Sequence, residues 1–172
     1  MMDHSVAVKQ LEEQFAKMSD YHSDCKRKTT GCRIVYPAEH AQGLFRIVGS
    51  AVNGPAKGHV CTNEVGNCGC MHAEMQAIMG ARNYAILVKR SFDDCSLLSD
   101  YSPCTNCANI ITLNNMYLGL YYVSVRTVIY RIHTDHDPRG NNILRNSGVK
   151  VLQLAVVQRA PEASLDHISA WK

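Results

Sequence analysis

The chain has 172 residues, eight cysteines and a net charge of +3. That length holds a hydrophobic core without help from disulfides, so one domain over residues 1–172 is expected. Apart from Lys26, Arg27 and Lys28 the basic residues are scattered and no apolar run nears bilayer length, which excludes a broad nucleic-acid surface and a membrane span and leaves a small anionic ligand.

The N-terminal MMDHSVAVKQLEEQ is charged and has neither an apolar core nor a small-residue cleavage site, so a soluble, unprocessed protein of the cytoplasm (the host's, for a viral source) is expected. Val6, Val8, Leu11, Phe15 and Met18 form a helical stripe, and SDCKRKTTG follows as a loop. CRIVY, Cys32 to Tyr36, and FRIVGSAVN, Phe45 to Asn53, are β-branched runs around the turn-prone AEHAQG, which predicts an antiparallel hairpin. A loop-rich stretch runs from Asn53 to about Gly69. HAEMQAIMGARN carries strong helix formers with Met75, Ile78 and Met79 on one face, placing His72 in the first turn of a helix.

CSLLSD, Cys95 to Asp100, reads as the next strand. SPCTNCANIITLNN predicts a helix capped by Ser102, with Pro103 near its first position and Cys104 and Cys107 in its first turn. YYVSVRTVIY is a strand, NNILRNSG a short helix closed by Gly148, VKVLQLAVV the last strand, and residues 161–172 a further helix. Alternating helices and strands after a hairpin predict a three-layer α/β/α sandwich around a central mixed sheet of about five strands. In such sheets the site lies where helix N-termini meet strand C-termini, and the sequence places its reactive residues there.

His72, Cys104 and Cys107 supply one imidazole and two thiolates, a set that leaves a tetrahedral zinc one position open for water. The cysteines stand three apart on one helical face, where the helix dipole favours thiolates. Glu74, two residues after the histidine, is poorly placed to bind the metal and well placed to reach its water as a proton carrier. The alternative is a closed zinc knuckle in which a fourth cysteine completes the shell and Glu74 is a plain surface residue; such a site has no need of a glutamate beside its histidine.

H-x-E followed by P-C-x-x-C is the pattern of zinc-dependent nucleobase deaminases. CMHAEMQAI, SPCTNCANII, AVNGPAKG, ILRNSGVKV and TTGCRIV together resemble the cytidine deaminase-like superfamily, and within it the deoxycytidylate (dCMP) deaminases. The resemblance implies a cytidine deaminase-like fold and hydrolytic deamination of dCMP to dUMP, which feeds thymidylate synthesis, with zinc on His72, Cys104 and Cys107 and Glu74 as proton shuttle. It also implies a homo-oligomer, dimer or hexamer, with dCTP and dTTP as effectors. The NG loop is compressed by Pro55, where regulated members bind those effectors, and CSLLSDYSPC departs from the family's usual strand by setting Asp100 and Tyr101 beside the metal.

Asn53 corresponds to an asparagine that contacts the nucleoside; by itself it also suits a turn before Gly54. The substrate phosphate needs cations, and Lys26, Arg27, Lys28, Lys57 and Arg82 are available, Arg82 equally as an interface residue. Tyr101 reads either as a wall for the base or as a core tyrosine. The candidate substrate contacts are therefore Asn53, Ala73, Tyr101, Ser102, Arg27 and Arg82. Other readings are a tRNA adenosine, free-nucleoside or modified-cytosine nucleotide deaminase of the same superfamily, or a non-catalytic zinc module.

Cys32 and Cys95 sit inside predicted strands and read as small buried residues. Cys25, Cys61, Cys68 and Cys70 lie in loops and suit a second, closed, all-cysteine zinc tying the loop after the first helix to the loop before HAE; the alternative is unpaired thiols. Some viral dCMP deaminases carry a structural zinc in this region. By that resemblance Cys25 and Cys61 match its cysteines, Cys70 stands where a carboxylate is usual, and Cys68 supplies the remaining ligand.

Overall fold

The structure, a computed structural model, describes residues 4–18, 20–37, 45–64, 67–117, 119–133 and 137–154. In chain order the elements are α1 (His4–Met18), β1 (Gly31–Pro37), β2 (Phe45–Val52), β3 (Gly54–Pro55), β4 (Cys70–Met71), α2 (Ala73–Leu87), β5 (Phe92–Tyr101), α3 (Thr105–Met116), β6 (Val123–Ile132), α4 (Arg139–Asn146) and β7 (Lys150–Gln153). Among these residues no helix is long and apolar enough to cross a membrane.

Five strands form one sheet in the order β2-β1-β5-β6-β7. The expected hairpin is present: β1 pairs antiparallel with β2, and also antiparallel with β5 on its other side. From β5 onward the pairing is parallel, β5 to β6 and β6 to β7. Parallel neighbours need a crossover, which α3 and α4 provide. The mixed sheet between helical layers is thus the predicted cytidine deaminase-like architecture.

Side chains alternate across each strand and divide the core between two faces. On one face Cys32, Ile34, Leu97 and Val125 pack against Ala77, Ala81 and Ala85 of α2, Ala108 and Ile111 of α3 and Leu144 of α4. On the other, Val35, Leu98 and Ile129 pack against Phe15 and Met18 of α1. Burying each large side chain of this kind contributes roughly 1.5–3 kcal/mol. α2 lies close on β2 because Gly49 presents no side chain: a Cβ there would stand 2.4 Å from the Ala77 carbonyl oxygen and 2.8 Å from the Ala81 Cβ.

Several boundaries differ from the expectation. His72 is the extended N-cap of α2, and Cys104, not Ser102, is the N-cap of α3, with no cap bond from its own side chain. β5 starts at Phe92, three residues earlier than expected, because the polar Asp93–Asp94 pair sits in an irregular register with Asp94 at φ +60°, which imitates a turn in the sequence. The loop after Asn53 holds a clip in which Gly54 pairs with Met71 and Pro55 with Cys70. Gly148 closes α4 at φ +79° as expected. The turn over residues 38–44, the end of the last predicted strand and the helix predicted over 161–172 lie outside the described residues.

Candidate metal centre and active-site cavity

The N-termini of α2 and α3 converge beside the C-terminal end of β5. The His72 Nδ1 lies 3.6 Å from the Cys104 Sγ and 3.3 Å from the Cys107 Sγ, and the three donors stand within 4.8 Å of one another. Cys104 and Cys107 share a helical face because they are three apart, at the end of α3 where the helix dipole is positive. A hydrogen bond from the Cys107 thiol, opposed by burial and aided by His72, draws Cys104 down to about 4, and the same bond pushes Cys107 well up. Cys104 in turn raises His72 above the usual imidazole value. Binding a cation here requires the thiols and the imidazole to give up their protons. Two sulfurs and a nitrogen in this arrangement fit zinc and leave room for a fourth ligand.

Glu74 enters α2 two residues after His72 and is only 5 % exposed. Burial raises its carboxyl above the ordinary value; its own backbone N–H and the neighbouring His72 pull the other way. The Ser99 hydroxyl, fully buried on β5, donates to the Glu74 Oε1 at 3.5 Å. Sequence reasoning missed Ser99, although a lone polar residue among the inward positions of an apolar strand is a signal.

His72, Glu74 and Cys104 line a cavity of about 220 Å³. Of the expected substrate contacts, Asn53, Ala73, Tyr101, Ser102 and Arg27 line it too. Arg82 does not: eight residues past Glu74, it is displaced about 12 Å along α2. Among the other candidate cations, Lys28 lines the cavity while Lys26 and Lys57 do not. The Lys28 Nζ stands 3.4 Å over the centre of the Tyr101 ring, and burial, with Arg27 adding to it, lowers its ammonium from the usual value.

Asn53 holds the cation loop in place. Its Nδ2 donates to the Lys28 carbonyl at 2.9 Å, and its Oδ1 accepts from the Thr30 N–H at 2.7 Å. An amide has two donors and two acceptor positions, so capacity for a ligand is left. Asp100 corrects the expectation that it stands beside the metal. Strand alternation sends it to the α1 face, where its Oδ2 accepts from the Gly31 N–H at 2.7 Å and its Oδ1 pairs with the Arg131 Nη2 at 2.6 Å.

The missing cap of α3 comes from a distance. Asp137, just before α4, accepts from the Thr105 N–H at 2.7 Å through Oδ2 and from the Thr105 hydroxyl at 2.9 Å through Oδ1, and it also lines the cavity. The Thr105 backbone bond, then the hydroxyl, hold its carboxyl down at about 2.

The second group of cysteines also converges. The sulfurs of Cys25, Cys61, Cys68 and Cys70 lie within 4.8 Å of one another, a donor set that fits a closed tetrahedral zinc. Burial pushes the Cys61 thiol up, but N–H bonds from Asn63 and Lys26 and the thiols of Cys70 and Cys25 outweigh it and bring it to about 7. Gly69, at φ +73°, supplies the left-handed residue between Cys68 and Cys70. Cys32 and Cys95 are core residues as expected; burial raises both thiols, Cys95 to about 12.

The model of the cytidine and deoxycytidylate deaminase zinc-binding region matches residues 7–117. The chain belongs to this deaminase family. The matched segment contains His72, Glu74, Cys104 and Cys107, whereas Asp137 and α4 lie beyond it. A deoxycytidylate deaminase of Schizosaccharomyces pombe is 23% identical over 155 residues, covering 81% of this chain and 42% of that protein, so the chain spans about two fifths of that relative's length. Two solved structures share the fold. The dCMP deaminase of cyanophage S-TIM5, in complex with dCMP and dUMP, is 23% identical with a TM-score of 0.59, covering 90% of this chain and 100% of that one. The Rib2 deaminase of Aspergillus oryzae is 15% identical with a TM-score of 0.54, covering 86% and 83%.

Proposed function

We propose that residues 1–172 act as one deaminase domain that converts dCMP to dUMP and ammonia. The observation that carries this reading is the convergence of His72, Cys104 and Cys107 beside a buried Glu74, in a cavity whose wall includes Arg27 and Lys28. The likeness to a deaminase solved with dCMP and dUMP supports a nucleotide substrate. Zinc held by His72, Cys104 and Cys107 supplies a polarised water of lowered pKa as nucleophile.

The chain's own residues handle the protons. Glu74 takes the proton of the attacking water on a carboxylate oxygen and passes it to the pyrimidine N3; the second water proton follows by the same carboxylate to the departing amine. The C4–N bond breaks as the C4 carbonyl forms, and ammonia leaves. Burial keeps the Glu74 carboxyl basic enough to accept that proton, and Ser99 supports it from the sheet. Asn53 and Tyr101 wall the nucleoside, while Arg27 and Lys28 meet the phosphate. Cys25, Cys61, Cys68 and Cys70 take a second, structural zinc. Exposed apolar side chains on α2 and α3, among them Met79, Ile86 and Met116, support a homo-oligomer.

Purified protein offered dCMP, dCTP, deoxycytidine and 5-methyl-dCMP should deaminate dCMP with the highest kcat/KM. Glu74→Ala should lose that turnover and keep its zinc. Absence of turnover on every nucleotide rejects the reading.

A further inference from the structure

The four-cysteine cluster and the reaction site share one cavity: Cys25, Cys68 and Cys70 line the same space as His72, Glu74 and Cys104. Cys61 does not line it and is 1 % exposed. Between the two sites runs the short segment Cys25–Lys28, and its backbone is tied to sulfur. The Lys26 N–H donates to the Cys61 Sγ at 3.4 Å, and Arg27 and Lys28 follow directly after Lys26. Such bonds strengthen when the sulfur is a thiolate, the form a metal requires. The two cations of the cavity wall, Arg27 and Lys28, are the next two residues of the segment that this bond anchors.

We propose that this cluster, filled with a thiophilic divalent metal, sets the affinity of the cavity for the anionic group of its ligand by fixing the backbone under Arg27 and Lys28. Asn53 holds the far side of the segment, at the Lys28 carbonyl and the Thr30 N–H. The near side rests on the Cys61 sulfur, through the Lys26 N–H, and on Ser23, whose hydroxyl accepts from the Cys25 N–H at 2.9 Å. With the metal gone, four thiols packed within one coordination sphere lose the centre that holds them together, and the near side of the segment is released. Arg27 and Lys28 touch no reacting atom, so their displacement weakens ground state and transition state alike: KM rises and kcat stays. Cys25, Cys61, Cys68 and Cys70 are therefore positioning residues.

This inference rests on the deaminase reading for its substrate, and the experiment separates the two. Cys61→Ser removes one sulfur without altering the cavity lining. Zinc per chain, kinetics on dCMP and deoxycytidine, and calorimetric affinities for dUMP and deoxyuridine are measured for wild type and variant. The expected result is a fall from two zinc to one, a rise of about ten- to a hundredfold in KM for dCMP and in Kd for dUMP, and kcat within about threefold. Deoxycytidine and deoxyuridine should be unaffected. An unchanged nucleotide affinity after loss of the zinc overturns the proposal, as does an equal loss for nucleotide and nucleoside, or one zinc per wild-type chain. Wild type inactive on dCMP counts against the deaminase reading alone.

A second arm leaves the sequence intact and covers a variant that fails to fold. Metal-stripped wild type is reloaded stepwise with cobalt, whose thiolate charge-transfer bands distinguish the four-sulfur site from the two-sulfur one. Preference for dUMP over deoxyuridine should appear as the four-sulfur band grows. A preference that is complete before that band appears overturns the proposal.

Discussion

Gly140 is the second residue of α4, yet what it positions belongs to α3. A Cβ at this position would stand 2.0 Å from the Pro103 carbonyl oxygen, 2.9 Å from the Cys104 carbonyl carbon and 3.0 Å from the Cys104 oxygen. All three are backbone atoms of the turn that presents Cys104, so no side-chain rotation relieves the overlap. Ordinary contact needs about 3.5 Å, so α4 and the turn must part by more than about 1 Å. In an unobstructed helix Gly→Ala gains about 0.8–1 kcal/mol. Overpacking of this kind costs typically about 1–3 kcal/mol, and contact with unyielding backbone puts Gly140→Ala toward the upper end, for a net loss of about 2 kcal/mol.

Gly80, in the interior of α2, is the control: a Cβ there would meet nothing within 4 Å, and Gly80→Ala should gain about 0.5–1 kcal/mol. Urea unfolding of both variants, with zinc content measured in parallel, reads the opposite signs directly. If the turn yields rather than α4, Cys104 shifts with it, and zinc retention and turnover fall together, up to about a hundredfold in rate for a 1 Å displacement. A Gly140→Ala protein as stable as Gly80→Ala, with full zinc, would refute the close approach.

Glu74→Gln keeps the shape and removes the base, so kcat should fall by about 10²–10⁴ while zinc content and melting temperature hold; a smaller loss would remove Glu74 from proton transfer. Asp137, with its folded carboxyl at about 2 against an ordinary 3.8, stabilises fully above the ordinary value and loses that contribution as pH falls through about 2. Wild type should therefore be more stable than Asp137→Ala at pH 6, with the gap closing by pH 2 in thermal melts; a constant gap would show that the carboxylate charge is irrelevant. Asp100→Ala strips the partner from an Arg131 side chain that is 29% exposed and should cost about 2 kcal/mol, with kcat/KM for dCMP unchanged. A selective fall in kcat/KM with stability intact would return Asp100 to the active site.

The candidate metal donors were legible because cysteine and histidine at short fixed spacings have few other uses, and the two groups read from helix starts and from loop cysteines each converge in space. The layers were legible because period-two and period-3.6 patterns dictate which faces must be buried. Asp137 was not, since a carboxylate that caps a helix from 32 residues away leaves no local pattern; Ser102 fitted the local rule for a cap, and Cys104, extended at ψ 170°, holds the position instead. Lys26, Arg27 and Lys28 look alike in sequence, and the path of the loop decides that only the last two reach the cavity.

The seven residues from Cys68 to Glu74 contribute to both candidate metal clusters. Cys70 belongs to the β4 clip, whose partner β3 follows Asn53, so the clip brings the asparagine and the HAE segment to the same cavity. His72 is still extended, at φ −71° and ψ 148°, and remains exposed toward the opening. Had the strand continued, Glu74 would have followed His72 on the same side and competed for the cation. Helix begins at Ala73 instead, which turns Glu74 into the protein, against Ser99 and beside the Cys107 thiol. The change from strand to helix at His72 is thus what separates the proposed metal donor from the proposed proton carrier, and it depends on backbone geometry as much as on the H-x-E spacing.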